Sequence, residues 1–443
     1  MRPILAYDMA QYGPPEDNEM NKGRLEPLGV PGSDYDYDER PAHAGSGNSP
    51  NALDRWVLSK LTSAIPERDM RILLWDADVP ANTSDVPAVQ ICDRAALYRV
   101  VRFPELHFGD LYSSGRIRVF GDLLKVLDAS YRYVEANAKT AKWIGRFQRL
   151  AATPSLADSK RNIHHHYDIG NEFYRLWLDR EALQYTCAYY PEDDMTIEQA
   201  QQAKMHHVCR KLQLQAGDTV AEAGSGWGGF ALFMAENYGA KVRSFNISKE
   251  QIAHAREWAK KRNLDHLVEF VEDDFRNISG RYDAFVSIGM LEHAGAGNYP
   301  GLGRLIARVL TDEGRGLIHT IGRDRAERLN PWIDKRIFPG AYPPTLREMM
   351  DIFEPNGLSV LDVENIRLHY AKTLQAWLDR YEENIDTIRN MFDETFVRGW
   401  RLYLAGSIMA FVHGKLQLFQ AVFTRSGMNK IPNSRAHLYH DSH

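Results

Sequence analysis

The sequence predicts an α/β protein with a Rossmann-like domain preceded by a smaller α+β domain. Three observations carry that expectation. Residues 219–229 read Thr-Val-Ala-Glu-Ala-Gly-Ser-Gly-Trp-Gly-Gly, an apolar strand running into closely spaced glycines and then a helical pattern. Short apolar runs and helical patterns then alternate along residues 160–430. Residues 51–135 carry a separate strand-and-helix pattern of their own.

In chain order, residues 1–50 are rich in Pro, Gly, Asp, Asn and Tyr, and they include the acidic run 34–39. Too little apolar surface is available there to offset the entropy of ordering, so a disordered tail is expected. In residues 51–135, the segments 71–75 and 116–120 read as strands and 123–134 as a helix. Residues 136–160 form a basic, polar connector that leads to His164-His165-His166.

The main domain is expected over residues 161–430, followed by a tail over 431–443. Runs at 219–223, 241–246, 268–272, 284–288 and 316–321 read as short buried strands. Strands separated by helices imply a parallel sheet covered on both faces. Ligands of such sheets sit at the carboxyl ends of the strands. Beyond residue 374 a long helical stretch runs to about Val412.

Composition narrows the function classes. The chain has 443 residues, 44% of them hydrophobic, and a net charge of -5, so bulk binding to nucleic acid is not expected. The three cysteines (Cys92, Cys187 and Cys209) have no zinc or disulfide spacing, which fits a reducing cytoplasm. No apolar run approaches the roughly 20 residues of a membrane span, and the first residues carry no signal-peptide pattern. A cytoplasmic protein with at most peripheral membrane contact is expected.

The glycine turn of Gly224, Ser225, Gly226 and Gly228 brings backbone close to a ligand. Glu222, just before it, is placed to accept hydrogen bonds from loop amides or a ligand ammonium group. Asn246 ends the second strand and Gln251 opens the next helix, where ribose hydroxyls are commonly held. Asp274 and Phe275 follow the third strand, suited to an adenine amino group and ring face. A nucleotide dehydrogenase prefers a third glycine in a different register and an acid where Asn246 stands. S-adenosylmethionine is the better candidate ligand.

A second set of residues converges if the sheet forms as expected. Cys187 lies in Gln184-Tyr185-Thr186-Cys187-Ala188-Tyr189-Tyr190, Glu292 and His293 follow the fourth strand, His319 and Ile321 lie in the fifth, and Tyr370 lies in Leu368-His369-Tyr370-Ala371-Lys372. With the flanking stretches His165-His166-Tyr167-Asp168-Ile169-Gly170-Asn171, Gly289-Met290-Leu291-Glu292-His293 and Asn330-Pro331-Trp332, the segment from 160 to 425 resembles the cyclopropane-fatty-acyl-phospholipid synthase family, which includes the mycolic acid cyclopropane synthases.

The resemblance implies a Rossmann-like S-adenosylmethionine-dependent methyltransferase domain. It implies methyl transfer to a cis double bond in unsaturated acyl chains of membrane phospholipids. The resulting carbocation loses a proton to bound bicarbonate, and a cyclopropane ring closes. Groups matching Cys187, Glu292, His319, the Ile321 backbone and Tyr370 hold the bicarbonate in the family. Tyr185 and Thr186 join the cofactor-binding set, and Tyr185, Tyr299 and Tyr342 are candidates for stabilising the cation. A homodimer and an N-terminal domain that aids lipid binding are further implications.

This chain departs from the family pattern at Glu222 and Ser225, where the family usually has Asp and Cys, and at Asn246. It also has Ser407 where some members carry a cysteine, which excludes covalent cysteine chemistry at that position. Candidate docking residues are Trp332, Ile333, Lys335, Arg336, Ile337 and Phe338 with Lys139, Lys142 and Arg146; the segment 331–344 can equally serve as a lid. Two alternatives stay open at this stage. Loss of a different proton gives a methylene- or methyl-branched chain, and a non-catalytic lipid-binding homologue would keep only the fold.

Overall fold

A computed structural model describes residues 49–62, 65–136 and 169–439. The expected tail over residues 1–48, most of the connector with Lys139, Lys142 and Arg146, and residues 165–168 lie outside the described residues.

The N-terminal unit contains α1 (Ala52–Thr62), β1 (Arg71–Leu73), β2 (Ala88–Ile91), α2 (Arg94–Arg102), α3 (Pro104–Ser113), β3 (Ile117–Phe120) and α4 (Leu123–Ala136). Its three strands form a small mixed sheet in the order β1-β2-β3. Leu74, Val89, Ile91, Leu97, Leu111, Ile117 and Val126 close its own apolar core.

The main unit begins with α5 (Ile197–Leu212), which is started by a reciprocal cap between Thr196 and Gln199. It continues with β4 (Thr219–Ala223), α6 (Gly229–Tyr238), β5 (Lys241–Asn246), α7 (Lys249–Lys261), β6 (Val268–Glu272), β7 (Tyr282–Ile288), α8 (Tyr299–Val309) and β8 (Leu310–Gly322). Then come α9 (Pro331–Arg336), α10 (Leu346–Phe353), β9 (Leu358–Asn365), α11 (Arg367–Glu383), α12 (Ile385–Met391), α13 (Glu394–Val412) and β10 (Gln417–Arg425).

The seven strands lie in the order β6-β5-β4-β7-β8-β10-β9. The first five run parallel, as the sequence pattern predicts. The sheet as a whole is mixed, because β10 runs antiparallel to both β8 and β9. Alternate residues serve opposite faces of a strand. Val220, Val242, Val286 and Leu317 pack under α5, α6 and α7, whereas Ala221, Phe245, Phe285 and Ile318 pack under α8 and α10.

Three sequence expectations change. The stretch after residue 374 is not one helix: α11 ends at Glu383 with Asn384 as its cap, and Asp393 starts α13 by accepting from the Phe396 N–H at 2.7 Å. The C-terminal segment is fastened rather than loose, since Leu438 is buried and its carbonyl accepts from Arg210. The proposed docking face turns inward. Trp332 and Ile337 are buried, Trp332 lies against Gly109 of α3, and Arg336 makes two bonds to Asp110 at 3.0 and 2.9 Å. Lys335 is the exposed residue of α9. The N-terminal unit therefore braces this segment, and its Tyr112 and Leu127 join the aromatic core built around α11 and α13.

Candidate active site

Two cavities open at the carboxyl ends of the parallel strands and share a wall. The first spans about 1090 Å³ of empty space, part of it open to solvent. All ten sequence-predicted cofactor residues line it: Tyr185, Thr186, Glu222, Gly224, Ser225, Gly226, Asn246, Gln251, Asp274 and Phe275. The second, of about 830 Å³, is lined by all five predicted reaction residues, Cys187, Glu292, His319, Ile321 and Tyr370. Tyr185, Thr186, Gly289 and His293 belong to both walls, so they mark the passage between the cavities.

Backbone geometry explains the glycine turn. Gly226 has φ +50°, and a Cβ added there meets no protein atom within 4 Å. Because Gly226 lines the first cavity, that Cβ would stand in ligand space. Gly228 serves packing instead: a Cβ there would lie 2.7 Å from Ala255 and Phe270.

The polar groups of this cavity hold one another and leave specific atoms over. Asn246 Nδ2 donates to Gln251 Oε1 at 2.8 Å, and to Ser225 Oγ and the Gly226 carbonyl at 3.2 Å each. Asn246 thus ties the second strand end to the glycine loop. Gln251 Nε2 is left buried without a partner, an amide donor available to a ligand hydroxyl. Glu222 accepts a bond from Ser244 Oγ, and burial pushes its carboxyl up to about 7. Asp274 accepts from the Arg276 N–H at 2.9 Å, and the Arg276 guanidinium lies over the Phe275 ring.

The second cavity is mostly apolar, with Phe338, Leu374, Tyr403, Phe411 and Leu418 among its walls. Glu292 sits in the short helix Leu291–Ala294 after β7. Its Oε1 accepts the Ile321 N–H at 2.6 Å, while Oε2 is buried without a partner. Burial pushes this carboxyl up to about 7 as well. His319 Nε2 is likewise buried and unpartnered, and burial holds the imidazole neutral, far below its usual range. Cys187 is fully buried and its Sγ lies 3.0 Å from the Ala188 carbonyl; burial raises the thiol, so no thiolate nucleophile forms. Of the Ile321 backbone, expected to help hold a bound ion, the N–H is directed at Glu292 and orients that carboxyl.

Of the three tyrosines considered for a cation, the structure brings one to the site. Tyr185 lines both cavities, bonds Tyr403 through the two hydroxyls at 2.8 Å, and packs against Trp177 and Trp377. Tyr299, the first residue of α8, is fully buried in the core, and Tyr342 donates to Glu348 at 2.7 Å; neither lines the cavity.

Sequence reasoning missed Lys204. This residue of α5 is fully buried, and its Nζ donates to Gln184 Oε1 at 2.6 Å and Thr186 Oγ1 at 3.1 Å. Burial lowers its pKa to about 8 against the pull of Asp179, Cys187 and Glu222. It fixes the 184–187 segment that divides the two cavities. The signal in the sequence is faint, because a lysine in a polar helical run ordinarily faces water. Lys204→Met is expected to cost about 1–3 kcal/mol of stability, by leaving the buried Gln184 Oε1 and the half-buried Thr186 Oγ1 without this donor. It is also expected to weaken binding of the adenosyl ligand through Thr186. Wild-type values in both denaturant unfolding and calorimetry would refute this role.

Comparison with known proteins agrees with this geometry. The family model described as mycolic acid cyclopropane synthetase matches residues 155–421. A probable fatty acid methyltransferase of Pseudomonas putida is 38% identical over 288 residues, covering 62% of this chain and 73% of the relative. The cyclopropane-fatty-acyl-phospholipid synthase of Escherichia coli K12 is 37% identical over 271 residues, 61% of this chain and 69% of that protein. The solved structure of the mycolic acid cyclopropane synthase CmaA1, complexed with SAH and CTAB, superposes with a TM-score of 0.57 at 29% identity, covering 60% of this chain and 98% of that one. With the glycine turn, the paired cavities and a family match over more than half its length, this chain belongs to the mycolic acid cyclopropane synthetase family and is an S-adenosylmethionine-dependent methyltransferase.

Proposed function

We propose that the chain methylates the cis double bond of unsaturated acyl chains in membrane phospholipids and closes a cyclopropane ring. One observation carries the reading: a cleft with the features of an adenosyl site shares the Tyr185–Thr186 wall with an apolar cavity that holds two unpartnered buried polar atoms, Glu292 Oε2 and His319 Nε2.

The residues fit the groups this chemistry needs. The open space beside Gly226 and the free Gln251 amide suit the cofactor's sugar and methionine portions. Glu222, with a pKa near neutrality, is poised to ionise beside a cationic ligand. A small anion with both acceptor and donor oxygens would suit the unpartnered atoms of Glu292 and His319, which line one cavity with Tyr370 and Cys187. When bound, S-adenosylmethionine supplies an electrophilic methyl group, and bicarbonate supplies an acceptor for the proton lost from the methylated chain.

The protein's own part is positioning and exclusion of water. Leu374, Phe411 and Leu418 accommodate an acyl chain. Tyr185, Phe338 and Tyr403 supply aromatic π density to the walls of this cavity, which would stabilise positive charge on that chain. The apolar walls also keep water from capturing the cation. Glu292, oriented by the Ile321 N–H, and neutral His319 hold the proton acceptor by hydrogen bonds.

Among the described residues, no helix is long and apolar enough to cross a membrane. Peripheral docking on the bilayer and a homodimer are parts of this reading carried by family resemblance.

The test is incubation of the purified full chain with methyl-labelled S-adenosylmethionine and vesicles of monounsaturated phospholipid, followed by mass spectrometry and NMR of the released acyl chains. A gain of one CH₂ with cyclopropyl proton signals is expected. Label in a methyl or methylene branch would replace the ring-forming outcome with the branched one, as the fatty acid methyltransferase relative permits. Label absent from lipid would end the reading altogether.

A further inference from the structure

Three strands at one side of the sheet place polar side chains in a single row. In the cross-strand register, Gln420 of β10 stands opposite His319 of β8 on one side and Glu364 of β9 on the other. Residues in such register present their side chains on the same face. Helix α5 crosses this face and brings down His207 and Lys211, four residues and about one turn apart.

The contacts are continuous. Lys211 Nζ donates to Gln420 Oε1 at 2.7 Å and to Glu364 Oε2 at 2.5 Å. Glu364 Oε2 also meets His207 Nε2 at 2.7 Å. Gln420 Nε2 lies 3.1 Å from His319 Nδ1. Gln420, Lys211 and His319 are all buried, and Glu364 is about one-quarter exposed at the outer end of the chain of contacts. Two hydrogen bonds and the Lys211 ammonium beside it hold the Glu364 carboxyl down to about 2, despite its partial burial. It therefore remains a fixed counter-charge.

The chemistry of the donors then decides a proton's position. An ammonium group only donates, so the Gln420 atom facing Lys211 is the carbonyl oxygen. The amide nitrogen accordingly faces His319. An amide nitrogen also only donates, so His319 Nδ1 is the accepting nitrogen and the ring proton sits on Nε2. That Nε2 is the atom left without a protein partner at the acyl cavity. We propose that Lys211 and Gln420 are positioning residues that lock His319 in its Nε2–H tautomer, so that the cavity receives a hydrogen-bond donor rather than a lone pair. The tautomer follows from the contacts alone; its effect on turnover rests on the cavity being the reaction site proposed above.

The test uses the full chain labelled with ¹⁵N-histidine, with the His319 signals assigned by their loss in His319→Gln. Wild type is expected to show a protonated Nε2 and an unprotonated Nδ1. Gln420→Glu keeps the shape but turns a donor into an acceptor, so the His319 proton is expected to move to Nδ1. Turnover is expected to fall about 100-fold, as for removal of one oriented donor, with KM for S-adenosylmethionine within about twofold. Lys211→Met frees the Gln420 amide to rotate and is expected to mix the two tautomers with a smaller loss. It also carries the mutant test if Gln420→Glu does not fold.

A protonated Nδ1 in wild type overturns the proposal. So does an unchanged tautomer in whichever of these variants folds. A shifted tautomer with unchanged turnover leaves the lock standing and removes the cavity's catalytic reading instead.

Discussion

Glu292→Gln is expected to lower turnover about 100- to 1000-fold, while affinity for S-adenosylmethionine stays within about twofold. Glu292 lines the acyl cavity and is absent from the lining of the cofactor cleft. Glutamine preserves its size and can still accept the Ile321 N–H that Oε1 takes at 2.6 Å. What is lost is a carboxyl whose second oxygen is buried without a partner and whose pKa, raised by burial to about 7, lets it accept or donate near neutrality. Unchanged turnover would remove Glu292 from the reaction.

The same substitution has a signature in stability against pH. A carboxyl with a raised folded-state pKa contributes its full stabilisation below the unfolded value. That contribution is lost as pH rises through the folded value. For Glu292 the window runs from 4.5 to about 7, worth about 3 kcal/mol at 1.36 kcal/mol per unit. Glutamine does not titrate, so the stability of Glu292→Gln relative to wild type is expected to improve steadily between pH 5 and pH 8. Glu222, pushed up to about 7 by the same cause, is present in both proteins and cancels from the difference. Denaturant unfolding at the two pH values measures it, and a difference that does not vary with pH would show that Glu292 is not an unpaired buried acid.

The features legible in the sequence are those written locally. The turn chemistry of residues 224–228 pointed to the cleft that Gly224, Ser225 and Gly226 line, and β4, β5 and β6 begin and end where their apolar runs do. The parallel order then brought Glu292 and His319 into one cavity, because both follow from strand direction alone. Features that depend on distant partners were not legible. β9 is an edge strand with mostly half-buried residues, so it lacks a clear apolar run, and β8 starts at Leu310 through exposed Asp312 and Glu313 that read as loop. Trp332 and Arg336 look like an interface in isolation; they are covered because α3, more than 200 residues earlier, supplies Gly109 and Asp110. Gln420 did leave a trace, the single polar residue in the run from Leu418 to Phe423. Its meaning needs Lys211, which only the folded chain brings to it.

Gly226→Val is expected to reduce S-adenosylmethionine affinity by at least about 100-fold and to leave a folded protein. Two effects act on the site. The first is backbone strain: at φ +50° a β-branched residue is disfavoured, at a cost of about 1–3 kcal/mol. That cost falls on a turn at the protein surface of the cleft, in a main unit whose seven-stranded sheet and three apolar clusters keep their packing. The second is volume. A Cβ at this position meets no protein atom within 4 Å and stands in the cleft that Gly226 lines, so the larger side chain is expected to take space from a ligand there. Were the loop only a structural turn, strain alone would act, and Gly226→Val would lower stability without a selective loss of binding. Gly226→Ala separates the two, because alanine carries most of the strain and only one of the three carbons. A graded loss of affinity from glycine to alanine to valine in calorimetry, at similar stability for the two variants, identifies occupied ligand space. Normal affinity in the valine variant would move the cofactor away from this turn, and with it the shared wall on which methyl transfer into the acyl cavity depends.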